Sequence, residues 1–157
     1  MASGIVVDNN VKQLYKDMKL KKSVKLAAFQ IFNSKKIDVK TKLTEQEICE
    51  KGKDAFEEMQ EQMKDDECAY FLYDCHFQDA ESRAKSQLVL VIWSPDGADI
   101  RDKMIYSSCR DRIKEACAAK CTLEANGRSD CSRRALSEQL ERITGVKVLT
   151  LEGKPCH

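Results

Sequence analysis

The chain has 157 residues, of which 42% are hydrophobic and 34% charged, and its formal net charge at pH 7 is +1. This length and balance fit one domain with a single hydrophobic core. No stretch approaches the roughly 18 apolar residues of a membrane-spanning helix, and the N-terminus lacks a signal-peptide pattern, so we expect a cytosolic protein.

Charge is distributed unevenly along the chain. Residues 12–42 contain ten lysines and two aspartates, whereas residues 44–67 contain ten acidic residues and three lysines. The basic half has no nucleic-acid-binding motif and lacks the aromatic side chains that accompany basic grooves, so we expect no nucleic-acid partner. It is either a solvated surface or a docking surface for an acidic protein or anionic lipid headgroups.

The first part of the chain predicts a helix, a hairpin and an acidic helical region. Asn9 or Asn10 is the expected N-cap of the helix, and residues 24–32 and 36–43 form the predicted hairpin. The acidic region that follows is expected to break at Gly52. The core-facing residues predicted for the first helix are Val11, Leu14, Tyr15 and Met18.

The second part repeats this alternation. Residues 68–77 and 87–93 read as neighbouring strands joined by the polar loop 78–86. Further along, residues 122–125 predict a short strand, and residues 146–151 predict a last edge strand. A helix between these two strands is expected to begin at Asp130 or Ser132 and to end at Gly145.

A long helix is predicted between the strands 87–93 and 122–125, with Asp99 as its N-cap or as an acid of its first turn. Its core-facing residues are Ile105, Tyr106, Cys109, Ile113 and Ala116, which recur at helical spacing. Met104 projects about 140° away from the centre of that face at 100° per residue, and so lies among charged residues that meet water. An exposed methionine among cations indicates a contact surface.

The eight cysteines form neither a metal-binding nor a disulfide pattern. There is no C-x-x-C pair, and the two histidines, His76 and His157, are far apart, so we expect no metal site and no cofactor. Cys117 and Cys121 are spaced to pair under oxidation if both are accessible, although we favour reduced thiols. The neighbours Cys75 and His76 would point to opposite faces of a strand, which argues against a thiol enzyme.

Four short segments, in order, resemble the actin-depolymerising factor and cofilin family. They are MASGIVV at the N-terminus, ECAYFLYDCHF, a W-S-P turn followed by DKMIYSS, and LEGKP near the C-terminus. The resemblance spans nearly the whole chain and implies an α/β fold, a single ADF-homology (cofilin-like) domain over residues 1–157 with residues 1–8 as a flexible tip. We expect a five- or six-stranded mixed sheet, sandwiched between helices on both faces and containing one parallel pair.

The resemblance also implies a function and its residues. It predicts a monomeric actin-binding protein of the cytoplasm and cytoskeleton that binds actin monomers and filaments and promotes severing and depolymerisation. A kinase and a phosphatase would act on Ser3 to switch binding off and on. The implied actin contacts are Ser3, Gly4, Arg101, Lys103, Met104, Arg110, Asp111 and Lys114.

A second, filament-specific surface is implied by the same resemblance. Its residues are Arg83, Lys85, Arg133, Glu138 and Arg142, for which solvated surface charges are the alternative. Another alternative is a relative of the glia maturation factor or coactosin type, which binds a branching complex or filament sides without depolymerising.

Two departures from the family pattern concern other partners. The cluster Lys19, Lys21, Lys22 and Lys25 is thinner than the family's nuclear-localisation run, so nuclear import is weakly signalled. Glu115 and Ala118 dilute the basic end of the long helix. Binding to phosphoinositide headgroups is therefore expected to be weaker than in the family.

Overall fold

Helices and strands alternate along the computed structural model, which describes residues 4–156. The strands are β1 (Val6–Val7), β2 (Leu26–Phe32), β3 (Lys36–Leu43), β4 (Ala69–Asp79), β5 (Ala84–Trp93), β6 (Cys121–Ala125), β7 (Val148–Leu151) and β8 (Lys154–Pro155). The helices are α1 (Asn9–Lys16), α2 (Glu45–Glu50), α3 (Ala55–Gln62), α4 (Ile100–Ser108), α5 (Arg110–Ala116) and α6 (Arg133–Thr144). A π-helical turn, Asp17–Lys21, extends α1, and a 3₁₀ turn, Arg128–Cys131, precedes α6.

The strands form one mixed sheet in the order β1-β3-β2-β4-β5-β6, and β7 pairs with β4 and β8. The expected mixed sheet between helices is confirmed, with β2 to β7 as its longer strands. Two strand pairs of the described chain are parallel, β5 with β6 and the short β1 with β3, where we expected one. The additional parallel pair arises within the expected flexible tip 1–8, where Val6 N donates to Lys35 O at 3.1 Å and Asp8 N donates to Ile37 O at 2.9 Å.

The sheet separates two apolar cores. One lies against α2, α3 and α6 and includes Phe56, Met59 and Leu136. The other lies against α1, α4 and α5 and includes Phe29 and Ile113. The domain therefore has two cores rather than the single core expected from chain length, because a sheet with helices on both faces buries both of its surfaces.

Local sequence signals explain most element boundaries. Thr44 caps α2 in a capping box with Glu47, and Gly52 breaks the acidic region with a φ of +75°, as predicted. Gly145 ends α6 with a φ of +76°. The β2–β3 hairpin turns through Asn33 and Ser34, both at a φ of +55°, a conformation typical of tight hairpins.

Besides shifts of a few residues at strand ends, three larger differences from the predictions are seen. The N-cap of α1 is Asp8, whose Oδ1 accepts from Asn10 N at 2.9 Å, rather than Asn9 or Asn10. The predicted long helix is divided into α4 and α5 at Cys109, which has φ −91° and ψ 0°. The predicted loop 78–86 is much shorter, because β4 and β5 stay paired as far as Gln78 and Ala84.

All eight cysteines are free, and only Cys49 among them is exposed. Cys117 and Cys121 are buried in different cores, on opposite faces of the sheet, so the pairing considered for them is excluded. None of the helices in residues 4–156 is long and apolar enough to cross a bilayer.

Candidate functional site: the outward face of α4

A rigid turn places α4 at the end of the sheet. Ser94 N donates to Ala125 O at 2.9 Å, and the indole Nε1 of buried Trp93 donates to Lys64 O at 2.8 Å. Asp99 then caps α4, as predicted, because its Oδ1 accepts from Arg101 N at 3.1 Å. The direction of α4 is therefore fixed by contacts outside the helix itself.

The inward side of α4 is anchored by Tyr106. Its side chain is buried in the core beneath α1, α4 and α5. Burial raises the pKa of Tyr106 to about 12, so its hydroxyl stays protonated at neutral pH. The predicted inward face is thus confirmed at this residue, and the opposite side of α4 faces solvent.

Two apolar side chains project from that outer side. Met104 is 68% exposed, as predicted, and Ile100 is 72% exposed. Residues four positions apart lie on the same helix face, so these two side chains form one apolar patch. Sequence reasoning missed Ile100, although its i, i+4 spacing from Met104 could have revealed it.

The predicted cations of this region differ in how free they are. Arg101 is exposed, whereas Lys103 is half-buried and its Nζ donates to Asp96 O at 3.3 Å. Arg110, on α5, is ion-paired with Glu124 at 2.9 Å. The exposed cation on the same helix as the apolar side chains is therefore Arg101.

The remaining predicted contact residues lie on α5 and at the N-terminus. Asp111 is exposed and Lys114 is half-buried on α5. Arg112, which sequence reasoning missed, donates through its guanidinium to Ile5 O and so ties α5 to the N-terminal segment. Gly4 is exposed beside that anchor, and Ser3 lies outside the described residues.

The residues of the predicted filament-specific surface lie at the β4–β5 turn and on α6. Arg83 lies in the β4–β5 turn and pairs with Asp79 at 3.0 Å, while Lys85 is exposed on β5. Glu138 and Arg142 are exposed on α6. Because Asp79 pairs with Val148 of β7, and α6 packs on β7, these elements lie at the same end of the sheet.

Arg133 is occupied by internal contacts. Its guanidinium lies 2.8 Å from Asp54 Oδ2, donates to Leu151 O at 3.0 Å and stacks 4.6 Å above the Phe56 ring. These contacts connect α6 with α3 and β7. Arg133 therefore holds the elements of this end together, in addition to any role at the surface.

One member of the predicted basic cluster is not at the surface. Lys25 is 4% exposed, and its Nζ lies 2.8 Å from Glu152 Oε1 and 5.6 Å from the centre of the Tyr73 ring. Lys19, Lys21 and Lys22 remain exposed. The basic surface is consequently thinner than the sequence suggested.

Solved structures share this arrangement of sheet and helices. The cofilin of Streptomyces griseoflavus matches with a TM-score of 0.74 and 20% identity, over 87% of this chain and 98% of that chain. Actin depolymerization factor 2 of Plasmodium berghei matches with a TM-score of 0.72 and 19% identity, over 92% and 96%. Coactosin of Entamoeba histolytica matches with a TM-score of 0.73 and 17% identity, over 92% and 99%.

The family model described as cofilin/tropomyosin-type actin-binding protein matches residues 4–141. This match covers most of the chain and includes α4, the N-terminal segment and β1 to β6. The chain therefore belongs to the cofilin and actin-depolymerising factor family of actin-binding proteins, a non-enzymatic class associated with the cytoskeleton.

Proposed function

We propose that the protein binds both monomeric and filamentous actin and promotes filament severing and depolymerisation. The observation that carries this proposal is the apolar patch of Ile100 and Met104, exposed on a helix whose opposite side is anchored in the core. A helix with apolar anchors at i and i+4 suits a hydrophobic groove. Arg101 and Lys103 beside the patch would steer it toward an acidic partner such as actin.

The second surface supplies the filament activity. Arg83 and Lys85, with Glu138 and Arg142, would contact a neighbouring actin subunit while α4 holds the first. A ligand that binds one filament geometry more tightly shifts the filament toward that geometry. Severing follows without covalent chemistry, because the altered geometry weakens contacts between subunits.

Phosphorylation of Ser3 is the proposed switch. A phosphate adds about −1.5 to −2 charges at neutral pH, which would oppose the approach of the tip to an acidic surface. The hydrogen bond from Arg112 to Ile5 O keeps Ile5 beside α5, and Ser3 precedes Ile5 by two residues, so we propose that its phosphate would act close to the contact. A kinase and a phosphatase are the implied regulators.

We also propose that the protein binds phosphoinositide headgroups more weakly than is implied for its family. The exposed cations available for it are Lys19, Lys21 and Lys22, since Lys25 is buried. We place the protein in the cytoplasm and on the cytoskeleton, with nuclear import only weakly signalled by this thin cluster.

We propose no enzymatic activity. A thiol nucleophile needs a thiolate, and burial raises the pKa of Cys121 to about 11 and that of Cys131 to about 12. The side chain of Cys75 is buried in one core, while His76 is half-exposed on the neighbouring strand position. This arrangement offers no nucleophile and base pair at these residues.

Co-sedimentation with actin filaments tests the proposal. The protein should sediment with filaments and increase the actin left in the supernatant. The double variant Arg101→Glu/Lys103→Glu should do neither, while Lys147→Glu, an exposed reversal outside the contact, should behave as the parent. Ser3→Glu should weaken binding and Ser3→Ala should not.

The coactosin and glia maturation factor alternative gives a different result in the same assay. Sedimentation with filaments that leaves the actin entirely in the pellet would indicate side binding without depolymerisation. Failure to bind either monomers or filaments would contradict the proposed function as a whole.

A further inference from the structure

A histidine and two glutamates from three separate elements converge at a gap in the sheet. Glu45 lies in the first turn of α2, His76 on β4, and Glu152 directly after β7; a possible ligand atom of each lies within 4.8 Å of the others. The gap exists because β2 pairs with β4 only as far as Tyr73, whereas β7 joins at Phe77. Side chains from both sides of the gap can therefore reach one point.

Glu152 is held firmly in this gap. Its Oε1 accepts from the Tyr73 hydroxyl at 2.7 Å and from His76 N at 3.2 Å, and Lys25 Nζ lies 2.8 Å away. The side chain is 8% exposed. All three contacts involve Oε1, so within residues 4–156 the second carboxylate oxygen remains available to accept another partner.

A second, independent observation concerns Asp74, two positions before His76 and on the same face of β4. Its side chain is 4% exposed, and Oδ2 lies 3.7 Å from His76 Nε2 and 3.8 Å from Lys22 Nζ. Its Oδ1 is buried without a hydrogen-bond partner among the described residues. Histidines that bind metals commonly give their other ring N–H to a carboxylate, and a small rotation of the imidazole would bring Nε2, now 3.7 Å away, within hydrogen-bond distance of Asp74.

We propose that Glu45, His76 and Glu152 bind a divalent cation of the zinc class, with Asp74 orienting the imidazole. One imidazole nitrogen and two carboxylates form a ligand set that zinc accepts, with water completing the coordination. Zinc requires bonds of about 2.0–2.2 Å, so the ligand atoms must draw closer together than 4.8 Å. Glu45 is exposed on its helix and is the side chain free to close this distance.

The bound cation would fasten α2 to β4 and to the segment after β7. Lys25 beside Glu152 already neutralises part of the negative charge, which limits the affinity. Competition for Zn²⁺ with a chromophoric chelator, with the thiols kept reduced, measures this binding. We expect one Zn²⁺ per chain, at least a tenfold loss in His76→Asn and in Glu45→Gln, and a loss of about 10–100-fold in Asp74→Asn.

Two matched controls separate this site from other ligands of the chain. Glu50→Gln alters an exposed glutamate of the same helix, and His157→Asn alters the other histidine. Both should bind Zn²⁺ as the parent does, and circular dichroism should show all variants folded. Zn²⁺ should raise the melting temperature of the parent and controls but not that of His76→Asn.

Cobalt identifies the ligand atoms directly. Co²⁺ bound to the parent should show d–d absorption without a thiolate-to-metal charge-transfer band, since the proposed ligands are nitrogen and oxygen. The proposal is overturned if the parent binds no Zn²⁺, if a thiolate band appears, or if His76→Asn and Glu45→Gln bind as tightly as the parent. Actin co-sedimentation is a separate readout, so a failure here leaves the actin proposal intact.

Discussion

The hydroxyl of Tyr70 on β4 donates a 2.5 Å hydrogen bond to the backbone carbonyl of Tyr106 on α4. The two rings lie 5.1 Å apart, and the Tyr106 hydroxyl accepts from Ile31 N on β2 at 2.9 Å. Two strands of the sheet are thereby connected to the helix that carries the apolar patch. The orientation of α4 depends on this pair of tyrosines.

Tyr106→Phe should destabilise the protein by about 1–3 kcal/mol, because Ile31 N loses its hydrogen-bond acceptor in a partly buried place. Urea unfolding should show a lower midpoint with an unchanged m-value. Tyr15→Phe, at a half-buried tyrosine with no hydrogen bond from its hydroxyl in the described structure, is the control and should match the parent. Equal stability of Tyr106→Phe and the parent would refute the anchoring role.

Gly97→Ala should displace the turn before α4. A Cβ at this position would lie 2.5 Å from the backbone oxygen of Asp65, so one of the two backbone segments must move. We expect a loss of about 1–3 kcal/mol in stability and weaker actin binding. Gly127→Ala, where a Cβ meets nothing within 4 Å and φ is −158°, should change neither measurement.

Ile100→Ala should weaken actin binding without affecting folding. If the groove buries this side chain, its loss costs about 1–2 kcal/mol, or roughly 5- to 30-fold in affinity. The thermal midpoint should stay constant, since Ile100 is 72% exposed in the free protein. Leu149→Ala, a partly exposed leucine on β7, should bind actin as the parent does; unchanged affinity in Ile100→Ala would remove Ile100 from the contact.

Asp54 should make stability depend on acid pH. Burial raises the pKa of its carboxyl, but hydrogen bonds from Glu57 N and Arg133 outweigh burial and hold the pKa below its usual range. The folded pKa is thus lower than the unfolded one, so this stabilisation is present above pH about 4 and is lost as pH falls through the folded pKa. The ionised form should therefore contribute at neutral pH and contribute nothing in strong acid.

Asp54→Asn tests this dependence, because asparagine still caps α3 but carries no charge. The variant should be less stable than the parent at pH 7 by about 1–3 kcal/mol, and the difference should shrink below pH 4. Urea unfolding at several pH values measures it. Asp66→Asn, at an exposed position, is the control, and a difference that stays constant with pH would contradict the prediction.

Cys49 should be the one thiol that reacts quickly with a disulfide reagent in the native protein. It is exposed, whereas the other seven cysteines are buried. Burial raises the pKa of Cys117 to about 12, which further suppresses its thiolate. Spectroscopic counting should give one fast thiol in the native state and eight after unfolding, and Cys49→Ser should remove the fast phase; a second fast thiol would show that a core opens readily.

Structural features that depend on a few neighbouring residues were predictable from the sequence. Asp99 as a cap, Gly145 as a helix end and the buried run 89–93 depend on local backbone chemistry and on apolar spacing. Met104 was predicted as exposed because helical periodicity alone fixes its direction relative to Tyr106. The number and type of the elements predicted strands covered by helices on both faces, whereas the mixed sheet was implied by the family resemblance.

Features set by contacts between distant segments were not predictable in this way. The break at Cys109 leaves the apolar periodicity intact on both sides, so periodicity gives no sign of it. Lys25 reads as part of a basic run, and only the return of the chain at Glu152 explains its burial. The convergence of Glu45 with His76 likewise depends on where α2 packs, which sequence spacing does not encode.

Because the helical segment is interrupted at Cys109, α4 and α5 are attached to the rest of the fold independently. α4 is fastened to β2 and β4 through its tyrosine, while α5 is fastened through Ile113 in the core and through Arg112 to the N-terminal segment. A shift in the packing of α5 on the sheet therefore need not rotate α4. The sequence of α5, which includes the acidic Glu115, can therefore vary while the orientation of the apolar patch on α4 is preserved.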